Sequence, residues 1–297
     1  MTRLSILTSW PVNDTIHEDT LASILQNRPA HSEIIVVHRG EYDDPYDLGT
    51  EVRFISADPE ATQTEMLNLG ADEADGDILH IVQGGLRATE GWTVAALKHF
   101  DDIDVIAVAP AVVDDTEERI VVAGVRLSTA GARETCGVDV SIVSTDMARL
   151  QPTGPALIAG FYRLEAWDAA WGLDNSLGDL ADIDLALHLE QLGDCRLAAN
   201  SRLVFAEPTD DKTSRVRTGR NKQRLFLRHQ KHQDLSKSGN KSAIITEWIA
   251  EFYRPSAWAR ALVRLTTKLG AREVEQAERR WQDVMDESTQ DDVRRAA

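Results

Sequence analysis

The chain has 297 residues, 42% hydrophobic and 27% charged, which suits one large or two modest globular domains and excludes a disordered or fibrous chain. A formal charge of -17 at pH 7 excludes nonspecific nucleic-acid binding as the role of the whole molecule. Cys136 and Cys195, the two cysteines, exclude a disulfide framework or a four-cysteine zinc site and suit reduced thiols.

The first apolar stretch starts at Leu4 without the pattern of a signal peptide, and no run approaches the ~18 apolar residues of a membrane span. A cytoplasmic protein without a transmembrane segment is expected. Leu4 to Leu7 reads as a buried strand ending at Pro11. Thr15 to Glu18 has capping-box spacing and opens a helix that Pro29 stops. Glu33 to Val37 is β-branched and reads as a strand buried on both faces; Val52 to Ile55 is a third strand. Asp58-Pro59-Glu60 supplies a cap and an acidic first turn for a helix reaching Ala74. Strands at Ile78 to Val82 and Val105 to Ala109 flank a helix at Trp92 to Phe100. This alternation predicts an α/β fold with a mostly parallel central sheet and helices on both faces. Ligands bind beyond the carboxyl ends of such strands, which gathers Pro11 to Asp14, His38 to Glu41 and Gln83 to Leu86 around one crevice.

The stretch from Asp114 to Pro155 is less regular, with short strands at Val121-Val122 and Val138 to Val143. Ala181 to Leu192 is a buried helix, and Leu203 to Phe205 is a last strand closed by Pro208. Lys212 to Lys241 then carries ten Lys and Arg against the single acid Asp234, and reads most simply as a solvated linker. Beyond Ser242, Ile245, Trp248, Ile249 and Phe252 share a helical face, with breaks at Pro255 and Gly270. The predicted organisation is a domain over 1–208, a basic linker over 209–241 and a C-terminal helical extension over 242–297. The amphipathic tail suits docking on the domain, pairing with a second copy, or peripheral contact with a membrane surface.

Five segments in order resemble the family-2 glycosyltransferases: LSILTSWPVN (4–13), EIIVVHRGE (33–41), NLGADEADGDILHIV (68–82), RLEAWDAAWGLD (163–174) and ADIDLALHLEQLG (181–193). The resemblance spans residues 4–208 and implies the GT-A, or nucleotide-diphospho-sugar transferase, fold. It further implies transfer of a hexose from a nucleotide sugar to a glycan or other acceptor hydroxyl by direct displacement with inversion. On the donor side it places Pro11, Asn13, Arg39, Asn68, Gln83, Gly84 and Gly85. On the acceptor side it places Arg163, Trp171 and Asp184, with Asp182 as catalytic base.

The sequence departs from the family pattern at three points. Gln83-Gly84-Gly85 stands where the family has its metal-binding Asp-x-Asp, and a neutral amide is a poor ligand for Mg²⁺ or Mn²⁺. His38-Arg39 replaces the acid that meets the base, and Ala181 replaces the Glu before Asp182. No divalent cation is therefore expected at the usual position. Arg217, Arg220, Lys222 and Arg224 are candidates to supply the missing positive charge at the diphosphate. The same departures suit a second reading, a GT-A pseudoenzyme serving as a binding or scaffold subunit. Asp184, two residues beyond Asp182, points elsewhere round the helix and reads as structural or solvated. Trp167 and Trp171 share a helix face, one of them available to stack on an acceptor sugar. His229 and His232 have helical spacing but no third metal ligand near them in sequence.

Overall fold

A computed structural model describes residues 2–12, 15–128, 131–144, 149–206, 215–230, 232, 263–264 and 266–296, with backbone only at 215–219 and 291–296. Strand β1 (Leu4–Trp10) is buried along its whole length. It pairs in parallel with β2 (Ser32–Arg39) and β4 (Ile78–Val82), and β2 pairs in parallel with β3 (Arg53–Ala57). The unbroken β-branched run of β2 suits this position, since a central parallel strand has no solvent face. Side chains alternate along a strand, so Leu7 and Trp10 face opposite ways. Leu7 meets α2 (Gln63–Asp72), where a Cβ on Gly70 would fall 2.2 Å from the leucine methyl. Trp10 meets His17 of α1 (Thr15–Gln26). Helices thus cover both faces.

The other half of the sheet differs from the sequence expectation. After β5 (Leu86–Ala88) and α3 (Val94–Leu97) comes β6 (Val105–Val113), then the short β7 (Ile120–Val122), β8 (Val125–Leu127) and β9 (Arg133–Thr135). Strand β10 (Ala159–Arg163) inserts antiparallel between β4 and β6. Helices α4 (Leu164–Ala169) and α5 (Ala181–Leu189) precede β11 (Asp194–Phe205), which runs parallel to β6. Among the described residues the sheet has nine strands in the order β3-β2-β1-β4-β10-β6-β11-β5, with β7 on β6. Strand β10 escapes pattern reading because Ala159-Gly160 is weak strand sequence. Gly160 is nonetheless required, since a Cβ there would lie 2.5 Å from Pro155.

Three further expectations are corrected. Helix α2 starts not at Asp58-Pro59-Glu60 but after Thr62, which forms a capping box with Glu65; Asp58 instead accepts from the Glu60 amide in a turn. Residues 138–143 form a turn and an isolated bridge from Arg119 to Ser141 rather than a strand. Gly137 and Asp139 have φ +81 and +61 there, incompatible with an extended chain. The basic segment, expected as a linker, is over Arg215–His229 the helix α6, with Asn221, Leu225, Phe226 and His229 buried. A long helix α7 (Ala271–Ala296) follows Gly270; the amphipathic face at Ile245 to Phe252 lies outside the described residues. No helix among the described residues is long and apolar enough to cross a membrane.

Candidate functional site

The carboxyl ends of β1, β2 and β4 lie side by side, where such sheets place a crevice. Its wall is aromatic: Tyr42, in the loop after β2, lies 5.2 Å from Trp10 and 4.9 Å from Phe54 between ring centroids. His38 packs 5.7 Å from the same tyrosine. Beside this cluster, Trp10, Glu18, Leu21, Tyr46 and Leu48 help line a cavity of about 410 Å³. Among the buried side-chain atoms of these elements without a hydrogen-bond partner are Thr8 Oγ1, Trp10 Nε1, Arg39 Nε, Tyr42 OH, Asp44 Oδ1 and Gln83 Nε2. Burial pushes the His38 pKa down, against backbone hydrogen bonds at Gly40 and Arg39. Burial, then Glu18 and Asp44, push the Tyr42 hydroxyl up.

At the end of β4, Gln83 is 5% exposed. Its amide oxygen accepts from Ser9 Oγ at 2.8 Å and from Gln63 Nε2 at 3.0 Å, so both lone pairs are used. A Cβ on Gly84 would stand 2.5 Å from the His17 ring. Gly85 takes φ +86 and donates to Thr20 Oγ1. The turn is thus packed against α1, and a side chain in place of Gly84 would meet the His17 ring. Pro11 follows β1 half-buried, whereas Asn13 lies outside the described residues.

On the acceptor side the structure separates residues that the sequence grouped. Asp182 is fully covered: Arg133 grips both its oxygens, at 2.9 and 2.7 Å, and the Leu157 and Ile183 amides donate to it as well. It has no free oxygen facing a crevice. Arg163 sits at the opposite end of the sheet, in register with Ile78 at the start of β4. Its guanidinium is spent on the carbonyls of Val105, Phe100 and Asp102, because β10 runs antiparallel and carries its last residue away from the site. Asn68 exchanges hydrogen bonds with the Leu173 backbone, donating at 2.8 Å and accepting at 2.9 Å, and so pins the turn after α4. Trp167 is core, edge-on to Tyr162; Trp171 is 42% exposed.

Asp184 is buried at the centre of a polar cluster. Arg280 of α7 donates to it at 2.8 Å and also to the Ala170 and Gly172 carbonyls. His229 of α6 donates at 2.8 Å to its other oxygen. Burial works to raise the Asp184 pKa, but Arg280 and the His229 hydrogen bond outweigh it and hold the group well below the carboxylate range. His188, one turn along α5, donates to the Asp184 carbonyl and is kept neutral by burial and by Arg280. Asp184, His188 and His229 offer metal-ligand atoms within 4.8 Å of one another. Sequence reading noted His229 but missed the cluster, although the i,i+4 spacing of Asp184 and His188 was visible. Arg133 and Arg280 gave no signal, because both arrive from distant segments.

Of the basic candidates, Arg224 pairs with Glu273 of α7 at 2.6 Å, Arg220 is exposed and Lys222 half-buried. Arg217 is on α6, with its side chain outside the described residues. Helix α6 borders a cleft of about 90 Å³ lined by Gln63, Leu157, Asn175, Ser176, Asp179 and Asn221. Asn175 and Ser176 also line a second cavity of about 470 Å³, roofed by α7.

No family model matches the sequence, and no curated protein is similar to it in sequence. Solved structures resemble it in fold. One is GalNAc-T7 with UDP, GalNAc and Mn²⁺, at TM-score 0.57 and 12% identity, covering 81% of this chain; the chain spans 53% of that protein. Another is the mannosyltransferase PcManGT from Pyrobaculum calidifontis with GDP-Man and Mn²⁺, at TM-score 0.55 and 13% identity over 97% of this chain and 84% of that one. A third is S. aureus TarS 1-349, at TM-score 0.52 and 12% identity over 99% and 92%. The chain has the GT-A fold.

Proposed function

We propose that this protein binds a nucleotide sugar in the crevice at the ends of β1, β2 and β4 and transfers the sugar to an acceptor hydroxyl, with inversion and without a cation at Gln83. The observation that carries the reading is the aromatic wall of Trp10, Tyr42 and Phe54 beside a cavity of about 410 Å³ at the ends of β1 and β2. An aromatic wall beside a cavity suits a ligand with a planar base. The structural neighbours are described with UDP or GDP-Man bound, which agrees with a nucleotide as that ligand. Arg39 at the crevice and Arg220 on α6 are the cations proposed for the diphosphate, which needs about two positive charges to leave well. Asp182 is the proposed base, and taking a proton requires Arg133 to release one of its oxygens when acceptor binds.

The closed Asp182–Arg133 pair favours a second reading, a pseudoenzyme that binds the nucleotide without transfer. Thermal shift with UDP-, GDP- and dTDP-sugars in EDTA, followed by a turnover assay, separates the two. A shift that Tyr42→Phe and Arg39→Ala diminish, together with turnover lost in Asp182→Asn, is the expected result. A shift without turnover under any acceptor supports the second reading, and no shift with any nucleotide refutes donor binding altogether.

A further inference from the structure

Asp184 and His188 stand one turn apart on α5, and His229 reaches them from α6. Each offers one metal-ligand atom, and the three atoms lie within 4.8 Å of one another. The three side chains are 1%, 3% and 0% exposed. They are still within reach of solvent, because all three line the cavity of about 470 Å³ under α7.

Both rings are held in place. His188 Nδ1 lies 2.7 Å from the Asp184 carbonyl, which can only accept, so that nitrogen carries a proton and Nε2 is left for another partner. His229 Nε2 lies 2.8 Å from Asp184 Oδ1. Trp281 of α7 packs on both rings, 4.7 Å from His188 and 5.6 Å from His229 between centroids. Among the described residues, His188 Nε2 and His229 Nδ1 have no hydrogen-bond partner. An imidazole oriented by a carbonyl or carboxylate is how proteins present the ring to a metal ion. The ion pair with Arg280 already balances Asp184. It gives no reason for two imidazoles to gather on the same carboxylate.

The donor set decides the kind of ion. Two imidazoles and one carboxylate suit a borderline cation such as Zn²⁺, whereas Mg²⁺ and Ca²⁺ take oxygen ligands. Arg280 donates to Asp184 Oδ2 at 2.8 Å and leaves Oδ1 to the ion; ligating carboxylates are held by such hydrogen bonds. Its positive charge opposes a cation, so binding is weaker than at a closed four-ligand site. Three protein ligands leave one tetrahedral position open, and the cavity brings water to it.

We propose that Asp184, His188 and His229 form a Zn²⁺ site that ties α6 to α5. The site does not depend on the transferase reading and needs no nucleotide. The full chain, stripped with EDTA and dialysed, is titrated with ZnCl₂ by calorimetry, with MgCl₂ and MnCl₂ as controls. One Zn²⁺ binds per chain with a Kd of about 10 µM or tighter. The Tm rises with free Zn²⁺, and hydrogen exchange over 220–230 slows. His188→Gln and His229→Gln each keep an amide in the place of the ring and each weaken binding about tenfold or more. His31→Asn, at an exposed position, leaves it unchanged. X-ray absorption at the zinc edge of the wild type finds two imidazoles and no sulfur, a measurement that stands even where a variant fails to fold. Absence of binding, binding that survives either glutamine substitution, sulfur from Cys136 or Cys195 among the ligands, or a preference for Mg²⁺ or Mn²⁺ overturns the site. A bound ion that changes neither the Tm nor the exchange refutes the tie between the helices.

Discussion

Replacing Arg280 by Met leaves Asp184, 1% exposed, without its guanidinium while filling much of the same space. Three charge-assisted hydrogen bonds go, to Asp184 Oδ2 and to the Ala170 and Gly172 carbonyls. Breaking one side of a buried pair costs about 3–5 kcal/mol, since the remaining carboxylate is stranded. The loss depends on pH in a defined sense. In the native protein Asp184 is held low, so its contribution is present above the unfolded pKa and lost as pH falls through the folded one. In the variant, burial, the largest influence on the group, pushes the carboxyl up against the remaining His229 hydrogen bond, so the folded state takes a proton more readily than the unfolded chain. The difference between the two proteins is therefore largest at about pH 7 and narrows toward about pH 4.5. Urea unfolding across that range measures it, and hydrogen exchange over 271–290 tells local undocking of α7 from global destabilisation. Adding Asp184→Asn to the variant removes the stranded charge and recovers part of the loss. A cost under about 1 kcal/mol that does not change with pH would refute the buried pair as the anchor of α7.

His80 is fully buried, stacked on Phe161 and bonded through Nδ1 to the Gly160 carbonyl; burial lowers its pKa to about 3. Below the unfolded value near 6.5 the unfolded chain alone takes the proton, so stability falls as pH drops from there to about 3, by on the order of 4–5 kcal/mol. His80→Gln removes close to one proton from that slope in pH-dependent urea unfolding, and an unchanged slope refutes the assignment. Asn68→Ala strands the Leu173 backbone and costs about 1–3 kcal/mol, with faster hydrogen exchange confined to the turn after α4. Gly84→Ala drives a methyl into His17 and costs about 1–3 kcal/mol; thermal unfolding at the wild-type Tm would show that α1 yields without penalty.

The parallel half of the fold was legible because its cause is local. β-Branched runs at Glu33 to Val37 and Ile78 to Val82 bury themselves wherever they go, and the helices between them carry their own breaks. The antiparallel β10 was not legible, since Ala159-Gly160 has little strand preference and is held by β4 and β6 on either side. That insertion also decides the fate of Arg163, which family likeness placed at the acceptor and the sheet direction carries to the other end. Helix α6 was hidden for a related reason. Its charge pattern reads as solvated, and only the partners Asp174 and Glu273, distant in sequence, turn Arg228 and Arg224 into packing elements.

By itself the sequence determined where the crevice lies, because strand order and loop position follow from periodicity, and it determined that Gln83 offers no carboxylate to a cation. Tertiary structure alone decided which charges are free. Asp182 looked like an open base until Arg133, 49 residues away, closed on it. Asp184 read as structural or solvated, and Arg280, 96 residues away, decides between the two by pairing with it in the interior. A side chain's chemistry is written locally, but its protonation and reach are set by whichever charge the fold brings within about 3 Å.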